Sequence, residues 1–225
     1  MTAPGGVVTL VRHGEPALSR KTRLSSAGYR EWWATYEVGG LKPGQTPPPD
    51  LMRMAASADV VFSSTRPRAM ESARAITPGG EFKSDTIFVE APLPPPPLPD
   101  WIRLPPRWWG VISRVCWWLL NHHAGQESRR EAEARARAAA DLLAESAARG
   151  EAVLVIAHGY FNLMIGSVLE RRGWRRTLDQ GFRYWCARRF EPPVVAERSG
   201  GLAGPALAAS NEAEDQRTPL KTPQF

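Results

Sequence analysis

The sequence predicts an α/β fold: a three-layer α/β/α sandwich around a largely parallel central sheet. Three observations predict it. Short apolar runs recur at 7–11, 59–63 and 152–157. They read as strands buried on both faces, because they are brief, β-branched and do not alternate with polar residues. Segments with helical periodicity lie between them, and strands alternating with helices favour parallel pairing. The chain has 225 residues, 43% hydrophobic and 23% charged, enough for one core of useful size. That composition excludes wholesale disorder, a collagen-like chain, a disulfide scaffold and a multi-span membrane protein.

Taken in order, the first strand (7–11) breaks at Arg12-His13-Gly14-Glu15-Pro16. A helix over 25–37 carries Trp32, Trp33 and Tyr36 on one side, followed by a Pro/Gly-rich loop over 39–49. A helix over 51–58 leads into the strand 59–63. Pro67 opens a helix to about Ile76, at the first-turn position where its missing N–H is harmless. A third strand is expected over 86–89, ending at Glu90. Residues 91–120 hold eight prolines and five of the nine tryptophans; 94–97 must be extended. The pattern at 107–120 is helical, with Trp108, Val111, Ile112, Val115, Cys116 and Leu119 on the face expected to be apolar. An alanine- and arginine-rich helix spans 127–149, stopped by Gly150. The strand 152–157 breaks at His158-Gly159, a helix covers 161–171, and 184–190 reads as a last strand. Arg171, Arg172, Arg175 and Arg176 form a basic cluster. Residues 195–225, poor in large apolar side chains, read as a mostly disordered tail.

Twenty-nine Lys and Arg against twenty-three Asp and Glu give a net charge of +6. This suits anionic partners, although on charge alone a basic surface without a specific partner is the preferred reading. Cys116 and Cys186 are the only cysteines, so neither a disulfide framework nor a CxxC knuckle is present, and a reducing cytoplasm is the expected location. No stretch has the ~18 uncharged apolar residues of a spanning helix, and no N-terminal signal is recognised.

Two histidines occupy equivalent places: His13 and His158 each follow a buried strand and precede a glycine. Carboxyl ends of parallel strands are where ligands bind, and the glycine is expected to let a ligand approach the backbone. A single such histidine is more often structural; two, with Arg12 directly before the first, point to chemistry. The end of the strand 59–63 adds Arg66 and Arg68 at a helix N-terminus, a setting suited to phosphate. Glu90 adds a carboxylate. Imidazoles, guanidiniums and one acid are the parts needed for phosphoryl transfer through a histidine nucleophile. His122-His123 near Cys116 match no strong zinc spacing, and neither a metal nor another cofactor is expected.

Arg12-His13-Gly14-Glu15 resembles the signature of the histidine phosphatase superfamily, also called the phosphoglycerate-mutase-like family. Further matches follow in the same order: Leu24-Ser25 with Gly28, Ser64 through Arg68-Ala69 to Ser72-Ala73, Glu90, Gly125-Gln126-Glu127-Ser128, and Val155 to Gly159. The resemblance covers about 6–190. It implies a phosphoglycerate-mutase-like domain over 1–190, with a Pro/Trp-rich lid insertion at 91–121 and a tail over 191–225. By position, it implies His13 as the nucleophile that becomes phosphohistidine and Glu90 as general acid and base. Arg12, Arg68 and His158 would hold the phosphoryl oxygens. Arg68 is chosen over Arg66 because it stands directly before Ala69. Two departures stand out: Ala157 replaces the hydroxyl residue common before the second histidine, and Glu90 lacks the family's following Gly-x-x-Glu-Gly. Asp85 and Asp100 are the weaker alternatives to Glu90.

The implied activity is hydrolysis of a small phosphomonoester. The alternatives are a phosphoglycerate-type mutase and a non-catalytic phospho-ligand binder. Hydrolysis is favoured because the fold ends near 190 and the lid looks apolar. No nucleic-acid-binding signature is present. Three readings of the lid remain open: a cover packed on the core, an apolar pocket for a hydrophobic ester, or peripheral contact of 101–120 with an anionic membrane.

Overall fold

The computed structural model describes residues 6–193, so the expected tail from 194 onward lies outside the described residues. The strands are β1 (Val8–Arg12), β2 (Val60–Ser64), β3 (Lys83–Asp85), β4 (Val153–Ala157), β5 (Arg175–Asp179) and β6 (Ala187–Glu191). The helices are α1 (Ser26–Val38), α2 (Pro49–Ala56), α3 (Pro67–Ile76), α4 (Pro106–Leu120), α5 (Arg129–Ala148) and α6 (Gly159–Arg171). The strands form one sheet in the order β3-β2-β4-β1-β6-β5. The β3-β2, β2-β4 and β4-β1 pairings are parallel, while β6 runs antiparallel to β1 and β5. This is the layered α/β architecture with a mostly parallel central sheet that the sequence predicts.

Alternation along the central strands divides the core into two halves. Val8, Leu10, Val153 and Val155 point to one face, where Leu143 of α5 and Phe161 and Ile165 of α6 cover them. Val11, Leu154 and Ile156 point to the other, under Leu51 of α2 and Ala69, Ala73 and Ile76 of α3. The alanine stripe of α5 (Ala132, Ala136, Ala139, Ala140) is fully buried, because short side chains let this helix lie close to its neighbours. Ser128 caps its first turn and Glu131 reaches back, completing a capping box. Gly150, at φ +88°, ends it where only a residue without a Cβ sits at ease.

Four sequence expectations are corrected. The third strand is Lys83–Asp85, and Thr86–Phe88 forms a 3-10 turn. The Asp85 carboxylate accepts the Ile87 N–H and closes that turn, which drops Phe88 into the core against Phe62. Glu90 therefore follows a turn, not a strand. Second, β5 was not expected. It is an exposed edge strand, Arg-Arg-Thr-Leu-Asp, with almost no apolar signal. Two of its residues come from the basic cluster, which is largely neutralised: Arg172 pairs with Asp141, Arg175 with Glu191, and Arg176 with Glu170 and Asp179. Third, the closing strand is shorter than expected, beginning at Ala187 after a turn.

Fourth, α4 buries a different face from the one expected. Trp109, Ser113 and Trp117 are inside, whereas Trp108, Val111, Val115 and Leu119 are about half exposed or more. The helix is apolar on nearly all sides, so periodicity does not select a face. The selection comes from hydrogen bonding. The Trp109 indole N–H donates to the Leu24 carbonyl at 2.7 Å and that of Trp117 to the Glu127 carbonyl at 3.1 Å. A buried indole needs such an acceptor, and these two rings find one. Trp109 also stacks on Tyr29 of α1, which ties α4 to α1.

Candidate active site

The carboxyl ends of β1, β2 and β4 lie side by side, since β4 inserts between the other two in parallel register. His13, directly after β1, and His158, directly after β4, meet there with ring centroids 5.1 Å apart. Both rings are buried and border a cleft of about 370 Å³, together with Arg12, Arg68 and Glu90. All five candidate residues from the sequence are thus brought to one place. Asp85 and Asp100 are not among the lining residues.

Each histidine has a defined tautomer. His13 Nδ1 lies 2.7 Å from the Gly14 carbonyl oxygen. A carbonyl only accepts, so Nδ1 carries the proton and Nε2 keeps a free lone pair. Burial, then the charges of Arg68 and Arg12, hold the His13 pKa well below its usual value, so the ring is neutral at pH 7. For His158, an Arg68 N–H faces Nδ1 at 3.4 Å, so Nδ1 is the acceptor. Its Nε2–H then donates to the Ser64 hydroxyl at 2.8 Å. Burial and Arg68 depress the His158 pKa in the same way.

The arginines are held by specific partners. Arg68 is completely buried; it donates to the Tyr36 carbonyl and pairs with the Glu37 carboxylate at 2.8 Å, lying 4.4 Å over the Tyr36 ring. Arg66 pairs with the other Glu37 oxygen at 2.6 Å and does not border this cleft. Of the two, Arg68 lines the cleft. Arg12 stacks over Tyr184 and Phe182 and donates to the Phe182 carbonyl. Glu90 is fixed by three backbone N–H groups: Phe161, at the start of α6, and the adjoining Ala91 donate to one oxygen, and Tyr160, also at the start of α6, to the other. A helix N-terminus suits a carboxylate.

The two glycines stand close to protein side chains, and Gly159 also borders the cleft. A Cβ on Gly14 would stand 2.3 Å from the Trp185 ring, and one on Gly159 would stand 2.8 Å from Phe182 and 3.2 Å from the Arg12 side chain. They make room for protein side chains that brace the site. Trp185 itself adopts φ +61°, a strained conformation for a bulky residue. Its N–H bonds to the Arg12 carbonyl at 3.2 Å, and its indole donates to Gln45.

Sequence reasoning missed Ser64, Arg20 and Arg114 as site residues. Ser64 was visible as the first residue of the Ser64–Arg68 motif, and its hydroxyl serves His158 in a fold where position 157 is alanine. Arg114 lies within the 101–120 segment considered for membrane contact. It stands 3.7 Å over the Tyr160 ring and borders the cleft. Arg20, which also borders it, donates to the Tyr184 hydroxyl and had no signal in the sequence.

No protein-family model matches the chain, and no curated protein matches it. Solved structures do. One is a phosphoserine phosphatase from Entamoeba histolytica in complex with 3-phosphoglyceric acid: 16% identity, 74% of this chain and 80% of that one, TM-score 0.46. Another is a mycobacterial glucosyl-3-phosphoglycerate phosphatase: 19% identity, 74% and 80% coverage, TM-score 0.44. A third is the ecdysone phosphate phosphatase of the silkworm with tungstate: 16% identity, 93% and 98% coverage, TM-score 0.48. These neighbours are members of the histidine phosphatase superfamily, at low identity.

Proposed function

We propose that the protein is a phosphomonoester hydrolase working through a phosphohistidine on His13. The observation that carries this reading is the meeting of two neutral imidazoles, 5.1 Å apart, in a cleft bordered by Arg12 and Arg68. The unprotonated Nε2 of His13 attacks phosphorus while the ester P–O bond breaks. Arg12 and Arg68 stabilise the charge on the equatorial oxygens, with His158 oriented between Arg68 and Ser64 beside them. Glu90 delivers a proton to the departing alkoxide and then takes one from water. That water attacks the phosphohistidine, the P–N bond breaks, and inorganic phosphate leaves with His13 restored. Glu90 Oε2 accepts only one N–H in the structure, so it retains capacity for such a proton.

The test is hydrolysis of p-nitrophenyl phosphate. His13→Ala should lower kcat/KM about a thousandfold or more, and trapping under alkaline conditions, where the P–N bond survives, should find phosphoenzyme in the wild type and none in that variant. Glu90→Gln should slow esters of poor leaving groups far more than p-nitrophenyl phosphate. Wild-type kinetics in Glu90→Gln would remove its role, and activity that survives in His13→Ala would remove the mechanism.

A further inference from the structure

We propose that the phosphomonoester accepted by this cleft has an apolar, chain-like alcohol, and that the chain lies along the wall formed by Val111 and Val115 of α4. The proposal rests on the phosphatase reading and names its substrate class.

Three observations support it. The first is the wall itself. Residues 107, 110, 111, 114 and 115 of α4 border the cleft, the i, i+3, i+4, i+7, i+8 spacing of one helix face. Gly110 puts no side chain there, and Val111 and Val115 stand 52% and 49% exposed. Leu93, Trp33 and Phe182 border the same cleft. Apolar groups left in water around a phosphate-sized anion pocket are matched by an alcohol that covers them.

The second is what the cleft lacks. Among the described residues lining it there is no Asn, Gln, Ser, Thr or Asp. Its arginines only donate, and Glu90 is the one carboxylate, already accepting three backbone N–H groups. A sugar or other polyol would place hydroxyl donors where few acceptors exist, and leaving them unpaired is costly. A second anionic group is the rival reading, because Arg107 and Arg114 border the wall. Arg114 is partly committed, stacked on Tyr160 and donating to the Ala91 carbonyl at 3.2 Å.

The third is continuity. Trp108 and Leu119 lie three and four residues beyond Val111 and Val115 on the same helix, 51% and 76% exposed. They extend the apolar stripe out of the cleft in both directions, so a chain longer than the cleft still meets apolar surface.

The experiment uses the full chain and measures kcat/KM for ethyl, butyl, hexyl and octyl phosphate, all as monomers, beside p-nitrophenyl phosphate and 3-phosphoglycerate. We expect a rise of about tenfold or more from ethyl to octyl. Val115→Asp should flatten the series and Val115→Ile should keep it, with thermal melts verifying that both variants fold. A flat wild-type series, or 3-phosphoglycerate outperforming octyl phosphate, with p-nitrophenyl phosphate still hydrolysed, overturns the proposal alone. No turnover of any ester, p-nitrophenyl phosphate included, overturns the phosphatase reading and the proposal together. Phosphatidic acid in phosphatidylcholine vesicles separates the sources of such a substrate. Turnover there as well as of octyl phosphate assigns a membrane lipid, and turnover of octyl phosphate alone assigns a free amphiphile. Either result supports the apolar wall.

Discussion

At the scale of single residues, His13 and His158 are buried neutral bases whose pKa values lie well below the ordinary 6.5. Folding therefore favours their unprotonated forms. Between the ordinary value and the depressed folded values, the unfolded chain binds more protons than the native one. Stability thus rises with pH in that window and is lost as pH falls below about 6.5, by up to about 1.4 kcal/mol per pH unit for each histidine. Thermal melts between pH 5 and 8 should show this slope, and His158→Gln should make it shallower. Arg68 and Arg66 differ just as sharply. Arg68 is wholly enclosed and holds both Tyr36 and Glu37, whereas Arg66 is 35% exposed. Arg68→Ala should cost about 3 kcal/mol of stability and most of the affinity for inorganic phosphate, with Arg66→Ala changing both little. If calorimetry finds phosphate binding sensitive only to Arg66, the assignment is off by two positions. The histidines and Arg68 were legible in the sequence because strand ends and a motif fix them. The partners that orient them, Tyr36, Glu37 and Ser64, come from elements whose packing no local pattern announces.

At the scale of elements, the helices were legible wherever a cap or a breaker marks them. Pro67 opens α3, and Ser128 with Gly150 brackets α5. The third strand was not, because Ile87 and Phe88 have strand-like composition while the Asp85 side chain closes a turn over them. The face of α4 was not legible either, since a helix apolar on nearly every side reveals its orientation only through the acceptors awaiting its indoles. That assignment has a direct check. Trp109→Ala or Trp117→Ala should destabilise the protein by about 3–5 kcal/mol in denaturant unfolding, whereas Trp108→Ala should stay within about 0.5 kcal/mol. Equal effects at Trp108 and Trp109 would mean that α4 is rotated.

At the scale of the whole molecule, five arginines (12, 20, 68, 107 and 114) and one carboxylate, Glu90, line the cleft, in a chain of net charge +6. Such a cleft draws anions by long-range attraction that salt screens over about 10 Å at 0.1 M. Raising sodium chloride from about 20 to 300 mM should lower kcat/KM for p-nitrophenyl phosphate several-fold and leave kcat nearly constant; a kcat/KM indifferent to salt would contradict this. The layered architecture was legible because buried parallel strands betray themselves as unbroken apolar runs. The strand order was not, and it matters for how the protein comes into being. β4, synthesised after most of the chain, fills the gap between β1 and β2. Until it arrives, two older ribbons wait with naked edges and nothing to zip against, so nascent chains stalled before Val153 should be sticky, protease-sensitive and devoid of any pocket.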